Sequence, residues 1–167
     1  MDGVEAKGIL VRSFKSADQA ACVELYRDGL LGGQLAENDT GLDIDDIEMA
    51  YIQSPGSHFW VAEDEATKKV VGMIGVQQHD EGVGEIRRLR VCTEHRRRGI
   101  GSMLLQKALE FCRDRNYLKV TLDTFIDRDP ALKLFEKFNF RHEKTRESSG
   151  KQLLYFYLDL YGSEKRR

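Results

Sequence analysis

The sequence predicts an α/β (α+β) fold. The expected architecture is one domain built on a mixed, mostly antiparallel twisted sheet of about seven strands, flanked by four helices. Three observations lead there. Short apolar runs of strand length are bounded by turn residues. Longer segments carry apolar residues at helical spacing. In the second half, a strand, a helix and a strand follow one another, which places a crossover inside a sheet otherwise joined by hairpins. The 167 residues suit one core, since domains most often run ~100–150 residues.

Residues 8–14, GILVRSF, read as a first strand. Ser16, Ala17 and Asp18 offer a helix start, and the helix is expected to reach residue 31 because Cys22, Leu25, Tyr26 and Leu30 share a face. Residues 32–42 are polar and glycine-rich, hence a loop, and a second helix is expected over 43–53, stopped by Ser54, Pro55 and Gly56. Residues 58–63 and 69–77 form a predicted hairpin turning at Ala66, Thr67 and Lys68, and residues 84–92 a further strand. Apolar Ile100, Met103, Leu104, Ala108, Leu109, Phe111 and Cys112 make one stripe of a long helix over 99–115. Residues 118–125 follow as a strand. Asp129 and Pro130 open a fourth helix to residue 138, with proline in its first turn. Two last strands cover 140–145 and 152–160. The domain is expected over 1–162, with 163–167 as a charged, disordered tail.

Composition narrows the function. Apolar residues make up 41% and charged residues 32%, and the net charge is -2. A general nucleic-acid binder would carry a basic excess, so no nucleic-acid partner is expected. No run approaches the ~18 apolar residues of a membrane span, and the first residues lack the pattern of a signal peptide. A cytoplasmic, non-membrane protein is expected, as a monomer or homodimer. The three cysteines, Cys22, Cys92 and Cys112, read as reduced thiols. No Cys-x-x-Cys occurs and no Cys/His pair has zinc-ligand spacing, so no metal is expected. Cys22 and Cys112 are expected to be buried, and Phe59 and Trp60 to belong to the core.

The chemistry concentrates in residues 85–108, EIRRLRVCTEHRRRGIGSMLLQKA. A strand ends near Cys92. Arg96, Arg97 and Arg98 follow, then Gly99, Ile100 and Gly101, then an amphipathic helix. The first N–H groups of a helix have no partner inside it. Two glycines let a ligand approach that backbone, and the helix dipole favours an anion there. Neither GxxxxGK[ST] nor GxGxxG is present.

Residues 96–101 match the R/Q-x-x-G-x-G/A motif, and the chain resembles the GNAT acetyltransferase family. The likeness extends to Leu89, Arg90 and Val91 and to residues 131–140, ALKLFEKFNF, which look like the family's A-x-x-L-Y-E-K-x-G-F. Residues 43–47, 55–62 and 70–72 resemble the branch that acetylates aspartate or cysteine S-conjugates. Relatives there carry a membrane hairpin where this chain has the short loop 32–42.

The resemblance implies a GNAT domain that moves an acetyl group from acetyl-CoA to a primary amine by direct attack. The implied acceptor is a small molecule or amino acid; a protein lysine or N-terminus is the alternative, and an acetyl-CoA-binding module of weak activity is the alternative of another class. It implies coenzyme contacts from Leu89, Arg90, Val91, Arg96, Arg97, Arg98, Gly99, Ile100, Gly101, Ser102 and Phe135. The Leu89 N–H would polarise the acetyl carbonyl, and Glu85 matches the register of the general base. Phe135 departs from the tyrosine that protonates the leaving thiolate in many members, and Tyr155 or Tyr157 is a possible substitute. Asn139 replaces a glycine. For an amino-acid acceptor, Arg87 and Arg88 are carboxylate-binding candidates. Strict alternation would set Glu85 and Arg87 on one face and Arg88 and Arg90 on the other, unless a bulge intervenes.

Overall fold

Seven strands form: β1 (Ile9–Ser13), β2 (His58–Asp64), β3 (Lys69–Asp80), β4 (Val83–Val91), β5 (Lys119–Phe125), β6 (Arg141–Ser148) and β7 (Lys151–Asp159). All carry apolar residues except β6, RHEKTRES, which is polar, exposed over 141–147, and pairs with β7. The helices are α1 (Gln19–Asp28), α2 (Leu42–Asp45), α3 (Ile100–Asp114) and α4 (Asp129–Lys137). The structure, a computed structural model, describes residues 6–28, 40–125, 129–148 and 150–160. Leu30, most of the 32–42 loop and the 163–167 tail lie outside the described residues.

The strands form one open sheet in the order β1-β2-β3-β4-β5-β7-β6. β1 to β4 pair antiparallel in sequence order, β4 and β5 pair parallel, and β5, β7 and β6 are again antiparallel. The parallel pair follows from the crossover through α3, as the element order predicts.

Each face of the sheet has its own core. On one, Ile100, Leu104, Leu105, Ala108, Leu109 and Cys112 of α3 join a cluster with Ile74, Val76, Ile86, Val120 and Leu122 of the strands. Full burial of each large aliphatic side chain contributes roughly 1.5–3 kcal/mol. On the other, Cys22, Leu25 and Tyr26 of α1 and Ile44 of α2 pack with Tyr51, Phe59, Val61 and Met73. Cys22 and Cys112 are buried, as are Phe59 and Trp60.

Two helices differ from expectation. The first opens as a 3-10 turn, Ser16–Asp18, before α1. The second is not continuous over 43–53. α2 is a single turn, Asp46 leaves helical geometry at φ -148 and ψ 80, and a π-helical turn spans Glu48–Ile52. The break has side-chain causes. Asp46 accepts a hydrogen bond from the Met49 N–H at 3.2 Å, acting as a cap. Gln19 of α1 donates to the Ile44 carbonyl at 2.6 Å and accepts from the Ile47 N–H at 3.2 Å, so its amide satisfies the groups the break exposes.

Candidate active site

The site is built around β4. Its pairing with β5 covers only Val83–Lys119, Gly84–Val120 and Glu85–Thr121. From Ile86 to Val91 β4 keeps β3 as its described strand neighbour, so the edge turned toward β5 carries no strand ladder among the described residues; the Leu89 and Val91 carbonyls accept instead from Arg90 Nη1 and Arg96 Nε. Within this stretch the β3 register jumps: Arg87 stands opposite Gly75 and Arg90 opposite Met73. Two residues, Arg88 and Leu89, therefore face one, which is a bulge. Arg88 sits at φ 61, an uncommon conformation outside glycine. Leu89 thus lies in the bulge, on the strand segment that β5 does not cover.

Strict alternation fails at that point. Glu85 and Arg87 stand opposite Gln77 and Gly75. Arg87 Nη1 donates to Gln77 Oε1 at 2.9 Å, and Gln77 Nε2 donates to the Ala50 carbonyl. Arg88 does not turn to the opposite face. It reaches Asp43 of α2 on this same side, with Nε to Oδ2 at 2.9 Å and Nη2 to Oδ1 at 2.6 Å, and covers the Tyr26 ring at 4.9 Å. Its side chain is 7% exposed. The alternation expected for these arginines is corrected by the bulge, which puts Arg87 and Arg88 together. The two differ in commitment: Arg88 is paired with a largely buried carboxylate, while Arg87 has a neutral amide as its hydrogen-bond partner among the described residues.

Electrostatics follow the contacts. Burial pushes the Asp43 carboxyl up. Hydrogen bonds from Arg88 and the Tyr51 hydroxyl, which donates at 2.6 Å, outweigh it and hold Asp43 at about 2. Glu85 moves the other way. Burial raises it above the ordinary glutamate value, Asp123 adds to this, and Arg87, His79 and Arg88 oppose it less strongly. Glu85 is also the last β4 residue paired to β5, so it stands where the two strands part.

The motif from which an anion site is expected forms the start of α3. Gly99 is the N-cap of α3 at φ 83, with no side-chain cap. The first helical bond runs from the Met103 N–H to the Gly99 carbonyl. The N–H groups of Ile100, Gly101 and Ser102 precede it and have no partner within the helix. Arg96, Arg97 and Arg98 are exposed beside them. Ile100 and Ser102 are buried. A Cβ on Gly101 would come within 3.3 Å of Leu134 of α4, so this glycine also permits close packing of two helices.

Arg90 is buried and donates to the Leu89 carbonyl at 3.0 Å; Val91 packs against the α3-side core. Phe135 is 4% exposed and packs against Phe140 and Phe156. Since Phe156 faces α4, its neighbours Tyr155 and Tyr157 point to the other side of the sheet. They carry Lys144, Arg146 and Lys119 over their rings. Neither substitutes for a tyrosine at Phe135 in this arrangement.

Sequence reasoning missed Asp43 as a site residue, and no local signal could have found it, because its partner lies 45 positions away. It also passed over Cys92 and His95. A 3-10 turn brings Cys92 Sγ within 3.0 Å of His95 Nδ1, so the expectation that no Cys/His pair stands at ligand spacing gives way.

The model of the acetyltransferase (GNAT) family matches residues 21–140. Human N-acetyltransferase 8 is 40% identical over 111 residues, which is 64% of this chain and 47% of that protein. The N-acetylaspartate synthetase of Xenopus tropicalis is 40% identical over 101 residues, covering 60% of this chain and 36% of that protein. The matched segment thus spans less than half the length of these curated relatives, and both belong with the branch suggested by residues 43–47 and 55–62. Among solved structures, an acetyltransferase of the GNAT family from Staphylococcus aureus Mu50 superposes with a TM-score of 0.80 at 20% identity, covering 91% of this chain and 99% of that one. The yncA acetyltransferase of Salmonella typhimurium, solved with its cofactor acetyl-CoA, gives 0.77 at 18% identity, covering 92% and 95%. The forked seven-stranded sheet, the Arg96–Gly101 motif at the start of α3 and the family match together establish that this chain belongs to the GNAT acetyltransferase family.

Proposed function

We propose that this protein transfers an acetyl group from acetyl-CoA to the primary amine of a small acceptor, and that the acceptor is an amino acid or a similar carboxylate-bearing amine. The observation that carries this reading is the fork between β4 and β5, with the bulge at Leu89 along its open edge, Glu85 at its apex and the α3 N-terminus at its far end. Along that edge the pantetheine arm would add to the sheet as a strand does, paired with Leu89, Arg90 and Val91. The pyrophosphate would meet the N–H groups of Ile100, Gly101 and Ser102 and the charges of Arg96, Arg97 and Arg98.

Attack requires a neutral amine, whereas an α-amine has a pKa of ~7.7–8 and a lysine of ~10.4. Glu85, with its pKa raised by burial, is a better proton acceptor than an exposed glutamate and would take the proton directly or through one water. The Leu89 N–H would donate to the developing oxyanion, a contact of the kind worth ~2.7–4 kcal/mol. The thiolate would leave without a tyrosine, since Phe135 has no hydroxyl. The acceptor carboxylate would fall to Arg87, because Arg88 is held by Asp43. The relatives' names, an N-acetylaspartate synthetase among them, agree with an amino-acid acceptor. Among the described residues no helix is long and apolar enough to cross a membrane.

The test is a thermal-shift titration with acetyl-CoA, followed by an amine panel read by release of free thiol. Acetyl-CoA at 100 times its Kd should add ~2.7 kcal/mol of stability. Amino acids should outperform their decarboxylated amines, and Arg87→Ala should remove that preference by raising KM about 10–100-fold, the equivalent of ~1.5–3 kcal/mol for a charged hydrogen bond. No response to acetyl-CoA or CoA would overturn coenzyme binding. Binding without turnover on any amine would favour an acetyl-CoA-binding module, and turnover on peptide lysines alone a protein acetyltransferase.

A further inference from the structure

A second group of chemistry-bearing side chains lies outside the fork, in the turn that leaves β4. Cys92 is the N-cap of a 3-10 turn, Thr93–His95. Its own N–H extends the ladder by donating to the Val71 carbonyl at 2.8 Å, which fixes the start of the turn. The turn folds three ligand types to one place: Cys92 Sγ, a Glu94 carboxylate oxygen and a ring nitrogen of His95 lie within 4.8 Å of one another.

The imidazole is oriented from behind. His95 Nδ1 is 3.0 Å from Cys92 Sγ, and Nε2 is 3.3 Å from Asp64 Oδ2. Asp64 ends β2, and its other oxygen accepts from the Ala66 N–H at 3.0 Å in the β2–β3 turn, so this carboxylate is held in place. An ionised carboxylate only accepts. The Nε2 proton is therefore directed at Asp64, which leaves the Nδ1 lone pair facing the Cys92 thiol. A carboxylate behind the imidazole is the arrangement that orients metal-ligating histidines.

We propose that Cys92, Glu94 and His95 form a binding site for a thiophilic divalent cation of the zinc class, with Asp64 as the outer partner of His95. On binding, the Cys92 thiol releases its proton to solvent, and Sγ, Nδ1 and a Glu94 oxygen become the ligands. A sulfur, nitrogen and oxygen set suits zinc better than calcium or magnesium. Three protein ligands leave a fourth position for water. A cavity of about 360 Å3 lined by Cys92, Thr93 and Glu94 supplies the access. Glu24 and Asp28 of α1 line it too, and their charge offsets that of Arg96, the next residue in the chain. A bound cation would hold the start of the segment that leads through Arg96 to the α3 N-terminus.

The test is titration of the full chain with Co2+, after treatment with a chelator. The expected result is one equivalent bound, with a thiolate-to-cobalt charge-transfer band that Zn2+ erases. Cys22 and Cys112 are fully buried, so the band reports on Cys92. Cys92→Ser should abolish it. Asp64→Asn should keep the band but weaken binding about 10–100-fold, the usual loss for an outer partner. Melting curves check that each variant folds, and if Cys92→Ser does not, the Asp64→Asn titration decides alone. A parent protein without the band, a band that survives Cys92→Ser, or an affinity unchanged in Asp64→Asn would each overturn the site.

Discussion

Along one edge β4 is paired with β3 from Val83 to Val91, whereas along the other it is paired with β5 only as far as Glu85. The first edge is structural. Its residues are tied to neighbours: Arg88 to Asp43 by its side chain, and Cys92 to Val71 by its backbone. The second edge is left open and ends at the α3 N-terminus. One strand thus carries a rigid side and a receptive side, and the bulge at Arg88 and Leu89 is where the rigid side re-aims the receptive one. If this division holds, damage on the open edge should affect binding and rate, and damage on the paired edge should affect folding.

The largest effect should come at the far end of the open edge. Gly101→Val should reduce acetyl-CoA affinity by more than about 10²-fold, because a side chain would stand where the pyrophosphate meets the helix. Isothermal titration measures this. The substitution also presses on Leu134, so the melt should fall by an amount equivalent to ~1–3 kcal/mol. Normal affinity would place the anion elsewhere.

On the paired edge, Arg88→Ala should destabilise the fold by ~3–5 kcal/mol in urea titrations, since it leaves the Asp43 carboxylate buried without its cation. Removing both partners should cost less than removing Arg88 alone, which a double-mutant cycle would reveal. A neutral Arg88→Ala would mean that the bulge does not depend on this pair.

Glu85→Gln sharpens the contrast, because Glu85 lies where the two edges meet. Turnover should fall roughly 10²-fold with coenzyme affinity unchanged. In the parent, kcat/KM should rise with pH through a carboxyl pKa above the ordinary glutamate value, because the raised group acts as base only once deprotonated. That limb should vanish in the variant, and its deficit should shrink at high pH, where the amine is already neutral. Full activity at neutral pH would leave Glu85 a structural role only.

Acid gives a smaller effect with a definite sign. Asp43 is held at about 2 against an ordinary 3.8. Its contribution, on the order of 2 kcal/mol, is complete above pH 3.8 and is lost as pH falls from there through about 2. Asp43→Asn should flatten that part of the stability profile. Smallest is Phe135→Tyr. The ring is packed among Phe140 and Phe156, so an unpartnered hydroxyl should lower stability by ~1–3 kcal/mol and leave turnover unchanged. A faster enzyme would show instead that departure of the thiolate limits the rate.

Much of this was legible in the sequence, because the relevant signals are local. The stripe Ile100, Leu104, Ala108 and Cys112 announces α3 by its spacing, and Gly99 and Gly101 announce its exposed N-terminus. The β2–β3 hairpin and the crossover that makes the sheet mixed follow from the order of elements along the chain. What stayed hidden depends on partners distant in the chain. Period-two reasoning put Arg87 and Arg88 on opposite faces, and nothing near them reveals that one extra residue breaks the period. The second helix looked continuous because its apolar residues keep helical spacing. Its interruption depends on Gln19, whose amide arrives from another element. The Cys92 and His95 pair was dismissed on spacing, since a 3-10 turn and an aspartate 31 residues away leave no mark in the local pattern.

The two fastenings that flank the first connection have a further consequence for engineering. α1 is stitched to the chain beyond α2 through Gln19, and α2 is bolted to β4 through Asp43 and Arg88. Both helices are therefore fastened by side-chain contacts that cross between elements. In a redesign of the protein's surface, Gln19, Asp43 and Arg88 are the positions to leave unchanged. An exposed position such as Met49, at 63% exposure, is by contrast a place where a reporter or affinity handle could be attached while the forked sheet folds as before.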